Sequence, residues 1–453
     1  FAPNGVVPFV LRAVAWLDSP AGDDLTNPIP SFVKGVDNPF PTINYMLLYR
    51  NSLVFLSNSN IILSQAGDIG NWFSDTALTV KTSDPIDINA SVDQSTALYS
   101  GLVVNNGMVL FSRYNQFMFT TDSDILSPDT AKSSLLATYD FNIKSRPFNM
   151  ASNIGFFSTA GNDSIFWEMR DIYREGPPNV DERSKAVTRT LPSDLDIIVS
   201  SREDGLVLAS KYGANEIWCY RFFTQGDQQI QAAWFRWTIP GTVVHMFNNT
   251  RGKLWVVYRD GAVTRMMRLD LKEKMRAESQ EGIPYEYYVY LDNWQEVGFT
   301  WDPKTKTSSA TLDWEPNPNR KLLVYENDTD TYRGRSTEPT VSGKVVTVPG
   351  NWQNTDCAVG YEVEMEVKFP RFYLTARDRE AYRSDTSGNL TLHRLHMNFG
   401  TVGMYTVDIE RYGKDTYSTT IETTEMDGYD ADRVAGYPAR QFTIPVYDRS
   451  ENT

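Results

Sequence analysis

The chain has 453 residues, 41% of them hydrophobic, 13% aromatic, and a formal net charge of −14. This length suffices for two or three domains, and the apolar content excludes an intrinsically disordered chain. The acidic balance argues against a protein that reads nucleic-acid sequence, because an acidic surface does not attract phosphates. No apolar run reaches the length of a transmembrane helix, and the opening residues lack the pattern of a signal peptide.

Residues 1–43 are predicted to form an extended N-terminal segment. One apolar strand, FVLRAVAW at residues 9–16, is followed by four prolines between Asn27 and Pro41. Proline lacks a backbone N–H and interrupts helices, so no helix is expected there.

One pattern then recurs five times: a short apolar strand, a polar turn and a second apolar strand. The copies begin at Leu53, Met108, Ile154, Leu206 and Leu254, with spacings between 46 and 55 residues. About fifty residues is the length of a four-stranded propeller blade. Residues 44–275 are therefore predicted to form a β-propeller, with each hairpin supplying the inner and middle strands of a blade. Residues 76–80 (TALTV) are expected to add the fourth strand of the first blade.

The remaining chain is predicted to form a loop-rich β insertion or linker (276–350) and a C-terminal β domain (351–453), a sandwich or a strongly bent sheet. Residues 271–286 are the one charged, non-β stretch and read as a short helix or a linker. Residues 361–369 alternate apolar and charged side chains, which predicts a strand with one dry face. In residues 390–399 the alternation slips at His393–Arg394, the pattern of a β-bulge.

The sequence has no motif of a catalytic, cofactor-binding or metal site, and none is predicted. His393 and His396 lie three residues apart, and on a regular strand they face opposite sides, so a structural role is favoured over a metal pair. Asp328 and Asp330 resemble half of a calcium loop, but Arg333 replaces its glycine and a solvated turn is favoured.

The two cysteines are Cys219 and Cys357, 138 residues apart. Cys219 lies inside an apolar strand and is expected to be a small core residue. Because nothing resembles a disulfide framework, both are predicted to be free thiols.

One fragment supports an alternative function. Residues 64–73 (SQAGDIGNWF) loosely resemble the Asp-box turn of sialidase-type propellers. The alternative function is therefore a propeller glycosidase or depolymerase that acts on host envelope polysaccharide. The Asp-box is itself structural, and the later turns of the array lack it.

Several runs, in the same order, resemble the tail tubular protein B family, the nozzle proteins of short-tailed, autographivirus-like phages. The resemblance extends over about residues 16–446, and the order and number of the runs make it specific. The runs are DDLTNPIPSFV (23–33), YRNSLVFLSNSNIILSQAGDIGNWF (49–73), SDPIDINAS (83–91), NNGMVLFSRYNQFMFT (105–120), QIQAAWFRWTIPG (229–241), RMMRLDL (265–271), YLDNW (290–294) and SGNLTLHRLHMNFGTVGMYTVDIERYG (387–413).

The resemblance implies a structural virion protein without enzymatic activity, assembled in the host bacterial cytoplasm. Family members form a hexameric ring at the distal end of a short tail, next to the adaptor ring and the docked tail fibres. Such a ring is a conduit and gate for genome ejection, so double-stranded DNA passes through it without sequence-specific binding. No stable membrane insertion is expected. An acidic channel lining is expected, because repulsion of phosphates prevents the DNA from being trapped.

Overall fold

The computed structural model describes residues 21–449 except 24, 36–38, 91–95, 151–152, 173–175, 188, 226–227, 250–252, 271–290, 327–335, 354–355, 370–371, 379–380, 386–389, 400–404, 412 and 422–439. The chain is mainly β, as predicted, and divides into two compact units, Phe1–Glu273 and Lys274–Thr453. Within the described ranges, no helix is long and apolar enough to cross a membrane.

The first unit contains five antiparallel sheets that follow one another along the chain. Each is a meander in which consecutive strands pair. The first sheet consists of β1 (Ile43–Tyr49), β2 (Ser52–Ser57), β3 (Asn60–Leu63) and β4 (Ile86–Asn89), and the second of β5 (Leu98–Val104), β6 (Gly107–Ser112), β7 (Gln116–Thr121) and β8 (Ala131–Ala137).

The next three sheets continue the series. The third consists of β9 (Phe148–Met150), β10 (Asn153–Ala160), β11 (Asp163–Arg170) and β12 (Asn179–Glu182), followed by a 3-10 turn at Lys185–Val187. The fourth consists of β13 (Ile197–Ser201), β14 (Leu206–Ser210), β15 (Glu216–Gln225) and β16 (Gln228–Thr238), and the fifth of β17 (Thr242–Asn249), β18 (Lys253–Asp260) and β19 (Val263–Asp270).

Tight turns join these strands. Arg50 and Asn51, between β1 and β2, both have positive φ (44° and 64°), as a two-residue type I′ hairpin turn requires. Gly161 (φ 65°) opens the two-residue turn between β10 and β11, where a side chain would strain the backbone. These turns match the right-handed twist of the strands and fix the hairpin register.

Adjacent sheets of the first unit pack face to face and share apolar cores. β6 shows the arrangement most clearly, because all six of its residues are buried. Met108 and Leu110 join the core shared with the first sheet, whereas Val109 and Phe111 join the core shared with the third. Further cores join the third sheet to the fourth and the fourth sheet to the fifth.

The start of the series is covered by aromatic side chains. Phe55 of β2 stacks on Trp72, with ring centroids 4.6 Å apart, and Phe32 packs edge-on against both rings. Phe32 of the N-terminal segment and Trp72 of the loop between β3 and β4 thus cover Phe55 on the outer face of the first sheet and shield its ring from water.

The repeat predicts the sheets, but two expectations were wrong. The predicted hairpins form the second and third strands of the first four sheets, and the first strands contact each other instead: β1 with β5, and β13 with β9 and β17. The hairpins therefore occupy middle positions and do not supply the innermost strand. Residues 76–80 form a loop with Leu78 93% exposed, and β4 is the fourth strand.

The sheets do not close into a propeller in the described part of the chain. No strand of the fifth sheet pairs with a strand of the first, and the fifth sheet has three strands where the others have four. The structure therefore supports one part of the propeller prediction, a series of blade-like sheets, and it does not show their closure into a ring.

The second unit contains two four-stranded sheets over a common core. β20 (Leu291–Gly298), β27 (Asp356–Glu362), β23 (Leu322–Glu326) and β24 (Ser336–Thr337) form one; β21 (Thr300–Asp302), β22 (Thr307–Thr311), β26 (Val345–Pro349) and β25 (Thr340–Ser342) form the other. The core includes Phe299, Val324, Val346, Trp352 and Val359. Because β27 pairs with β20 and β23, this sheet includes strands on both sides of the predicted boundary at 350/351. The four-part division of the chain stays a prediction.

Three two-stranded ribbons follow in the second unit. They pair β28 (Leu374–Asp378) with β29 (Ala381–Asp385), β30 (Thr391–Phe399) with β33 (Arg440–Arg449), and β31 (Tyr405–Ile409) with β32 (Tyr417–Ile421). The register of β30 against β33 shifts between Leu392 and Arg394, which confirms the predicted bulge. Tyr447 opposite the bulge has a positive φ of 52°.

The strand predicted for residues 361–369 was wrong beyond Glu362, where β27 ends. Residues 363–369 belong to no strand, and the apolar side chains of the expected dry face are exposed. Alternation shows that a segment can pair, but pairing also needs a neighbouring edge. Three sequence features lie outside the described residues: the strand at 9–16, the charged stretch at 271–286 and the pair Asp328/Asp330.

We expect Gly107→Ala to destabilise the first unit by about 2 kcal/mol or more, because a Cβ there would lie 2.0 Å from the carbonyl oxygen of Phe119. Urea denaturation followed by tryptophan fluorescence measures the change. Gly70→Ala is the control: its nearest neighbour, Asp68 Oδ1, lies at 3.4 Å, and the change should stay within about 0.5 kcal/mol. Equal stability of the two variants would contradict the close approach of β6 and β7.

Candidate functional site

The two neighbouring histidines make contacts within one ribbon of the second unit. Both His393 and His396 lie on β30 and are exposed. The His393 ring packs edge-on against Tyr447, and His396 Nδ1 lies 3.0 Å from Thr443 Oγ1. Over the described residues, no group of three or more His, Cys, Asp or Glu side chains is positioned to hold a metal ion.

The most deeply buried carboxylate of the third sheet belongs to a structural network. Glu168 of β11 is 6% exposed, accepts a hydrogen bond from Asn153 Nδ2 at 2.6 Å and forms an ion pair with Arg183. Arg183 also lies 3.7 Å from Asp181, and its carbonyl oxygen accepts a hydrogen bond from Trp234 Nε1. The network connects the third and fourth sheets. Because the buried carboxylate is matched by a guanidinium and an amide, its charge is compensated inside the protein, and the arrangement is structural.

The Asp-box-like loop at residues 64–73 has a structural role in the first sheet. Asp68 Oδ1 accepts a hydrogen bond from the N–H of Gly70 at 2.9 Å, and Asn71 Nδ2 donates to Gln65 Oε1 at 2.6 Å. Trp72, at its end, stacks on Phe55. The polar side chains thus hold the turn, and the aromatic side chain anchors it to the sheet.

An amide clamp joins two loops on the first sheet. Asn27 Nδ2 donates to the carbonyl oxygen of Ser74 at 3.0 Å and to that of Ala21 at 2.9 Å, while Asn27 Oδ1 accepts from the N–H of Ser74. The clamped loops carry two leucines that are almost fully exposed, Leu25 (91%) and Leu78 (93%). We call Leu25 and Leu78 the leucine pair.

A second set of hydrogen bonds fixes the turn that presents Leu25. Asp23 Oδ1 accepts from the hydroxyl of Thr26 at 2.9 Å and from the N–H groups of Thr26 and Leu25. These bonds to the ionised carboxylate lower the pKa of Asp23, the Thr26 hydroxyl contributing most. Leu25 is thus an exposed apolar side chain on a turn that is held by hydrogen bonds.

The first strands of the five sheets lack acidic residues, lysine and arginine. β1, β5, β9, β13 and β17 contain no Asp, Glu, Lys or Arg, and His245 is the one histidine among them.

The outer face of the fifth sheet carries stacked aromatic side chains. Phe247 packs parallel to Trp255 and to His245, with ring centroids 6.3 and 6.2 Å apart. Phe247 is 40% and Met266 59% exposed. The aromatic cover seen on the first sheet has no counterpart here within the part of the chain that the structure describes.

These features define a class: a mainly β protein of stacked sheets that carries exposed apolar side chains on its outer surfaces. A family model described as bacteriophage nozzle protein matches residues 4–453. The chain therefore belongs to the bacteriophage nozzle protein family, and it is a structural component of the phage tail and of the virion.

A curated relative is the tail tubular protein gp12 of Escherichia phage T7, 23% identical over 422 residues. The match covers 89% of this chain and 51% of the relative, so the chain spans about half the length of the curated relative. Among solved structures, Kluyveromyces lactis Hsv2 is 12% identical with a TM-score of 0.33, over 63% of this chain and 81% of that chain. A luciferin-regenerating enzyme is 12% identical with a TM-score of 0.29, over 68% and 89%. Scores this low support no structural argument.

We expect Cys219 to be unreactive in the folded protein. It is a free thiol, fully buried in the core between the fourth and fifth sheets, and burial raises its pKa well above the ordinary value. A thiol reagent should label neither Cys219 nor the equally buried Cys357 until urea is added. Stability should fall above the ordinary thiol pKa, because only the unfolded chain then ionises. Rapid labelling of native protein would contradict this burial.

We also expect Asn27→Ala to release the two clamped loops, because it removes three hydrogen bonds and leaves the partly buried N–H of Ser74 unpaired. The local cost should be about 1–3 kcal/mol. Hydrogen exchange and limited proteolysis at residues 74–80 measure it. Lys81→Ala, which removes an exposed ion pair with Asp75 in the same loop, should change protection little. Unchanged exchange in both variants would show that the clamp does not hold the loops.

Proposed function

We propose that the protein forms a homo-hexameric ring at the distal end of a short phage tail. The ring is a conduit and gate for the genome, and it contributes to the junction where the adaptor ring and the tail fibres dock. The observation that carries the proposal is membership of the nozzle family over nearly the whole chain.

The surface of the first unit supports the assembly part of this proposal. The leucine pair stands out on clamped loops, so little conformational freedom is lost when a partner covers it. Contacts around a ring join two different surfaces and close by rotation. The exposed leucines of one copy then meet a different surface of the next.

The net charge of the chain supports the proposed role as a conduit for DNA. The net charge of −14 makes repulsion of DNA the default, and screening limits its reach to about 8 Å at physiological salt. Only charges at the lumen then act on the duplex. An acidic lining with at most isolated basic rings would let the genome slide, because each stable phosphate contact adds drag.

We propose a non-enzymatic role, and the alternative is a polysaccharide-cleaving enzyme. Its one supporting feature is the loop at residues 64–73, where Asp68 and Asn71 are hydrogen-bonded within the turn. Glycoside hydrolysis needs a pair of carboxyl groups flanking a sugar. Incubation with host envelope polysaccharide tests this alternative, and release of reducing ends at enzymatic rates would favour it.

Negative-stain electron microscopy and sedimentation of the purified protein test the ring. We expect six-fold rings with an axial opening and no tight, salt-sensitive binding of linear duplex DNA. A monomer at high protein concentration would contradict the ring, and a continuous Lys/Arg lining would contradict the acidic conduit.

The variant Leu25→Ser/Leu78→Ser connects the ring to the leucine pair. Both side chains are exposed, so folding should be unaffected, while the assembled fraction should fall. Tyr114→Ser, at another exposed position (55%) of the first unit, is the control. Rings that form equally well in both variants would remove the leucine pair from the interface.

A further inference from the structure

Residues 363–369 (VEMEVKF) follow β27 directly and have no strand partner among the described strands. The chain leaves β27 at Glu362 and continues without a turn or bend, and none of these seven residues pairs with a described strand. All seven are exposed, including Val363 (51%), Met365 (88%), Val367 (56%) and Phe369 (51%).

The alternation gives this segment two distinct faces. In an extended chain the apolar side chains Val363, Met365, Val367 and Phe369 point to one side, and Glu364, Glu366 and Lys368 point to the other. An exposed row of backbone groups with an apolar face is a template for another strand. Recognition by strand addition uses main-chain hydrogen bonds for affinity and the alternating side chains for specificity.

The same unit contains a strand edge of complementary chemistry. β30 pairs with β33 along one side, and its other side has no partner among the described strands. Arg394 and His396 of β30 are exposed, whereas Leu395 and Met397 are half-buried. A two-stranded ribbon is marginally stable alone, so an added strand would stabilise it.

We infer that residues 363–366 of one copy add to the free edge of β30 in a second copy, as an antiparallel strand. The register that places Glu366 opposite Arg394 also places apolar residues opposite each other. Glu366 lies opposite Arg394, Met365 opposite Leu395, Glu364 opposite His396 and Val363 opposite Met397.

The side chains decide this register. Opposite charges and apolar pairs stabilise directly opposed positions, and a slip by one residue would place Glu366 opposite Leu395. Arg394 Nε lies 3.4 Å from Tyr447 Oη. A guanidinium has further N–H donors that can bind a carboxylate. Among the described residues of this unit, both the edge and the segment lack a strand partner, and the occupant we infer is a second copy of the chain. The inference rests on the proposed ring, in which such a head-to-tail contact repeats from copy to copy.

Charge reversal tests the pairing. Glu366→Arg and Arg394→Glu should each raise the dissociation constant for assembly about tenfold at low salt, and the two together in one chain should restore most of the affinity. Lys304→Glu, at an exposed position of the same unit, is the control. Equal assembly of all four variants, or a double variant weaker than either single one, would overturn the pairing.

An engineered disulfide distinguishes strand pairing between two copies from strand pairing within one chain. With Val363→Cys and Met397→Cys in the same chain, oxidation should yield a ladder of covalent multimers, because opposed Cβ atoms lie within disulfide reach. A faster-migrating monomer would show pairing within one chain and overturn the inference. Rings of this variant that yield no crosslink would also overturn it, while leaving the proposed ring intact. Crosslinked multimers without rings in the microscope would support the pairing and contradict the proposed function.

Discussion

The fold of the first unit depends on sheets that are apolar on both faces. β6 and β14 are buried along their whole length, so each needs a neighbouring sheet on either side. Removing such surfaces from water yields about 25 cal/mol per Å², which no single sheet obtains alone. The series of sheets, the shared cores and the aromatic cover over Phe55 all follow from this requirement. In the described part of the chain, no further sheet of the first unit covers the fifth sheet, where Phe247 and Met266 are exposed.

The sequence predicts those features of the fold that a local pattern of residues controls. The five hairpins were located because apolar alternation and turn residues are neighbours along the chain, and the bulge at His393–Arg394 appeared as a slip in alternation. Residues 76–80 and 363–369 show the limit of this reasoning. Each has the composition of a strand, but the edge that a strand needs is set by the fold. β4 takes that position in the first sheet, and Leu78 is left in solvent.

The candidate surfaces were less accessible to sequence analysis. The amide clamp joins Asn27 to Ser74, 47 residues away, and no local pattern reports such a bond. The turn at Asp23–Thr26 was recoverable, since an acidic residue three positions before a threonine can accept its hydroxyl and N–H bonds. The exposure of Leu25 could not be predicted, because an exposed leucine and a core leucine look the same in a sequence. Family resemblance, by contrast, came from the order of many weak runs.

The meander order of the sheets also has a kinetic consequence. Each sheet uses consecutive strands, and each core joins sheets that are neighbours in the chain, so its contacts span short stretches of sequence for an all-β protein. Low sequence separation favours rapid folding, since little loop entropy is lost before contacts form. During synthesis, a chain extended to Ala137 already contains the first two sheets and the core between them. The unit can therefore fold from its N-terminus on the ribosome, one sheet after another, which shortens the time that its two-faced apolar strands stay uncovered in a crowded cell.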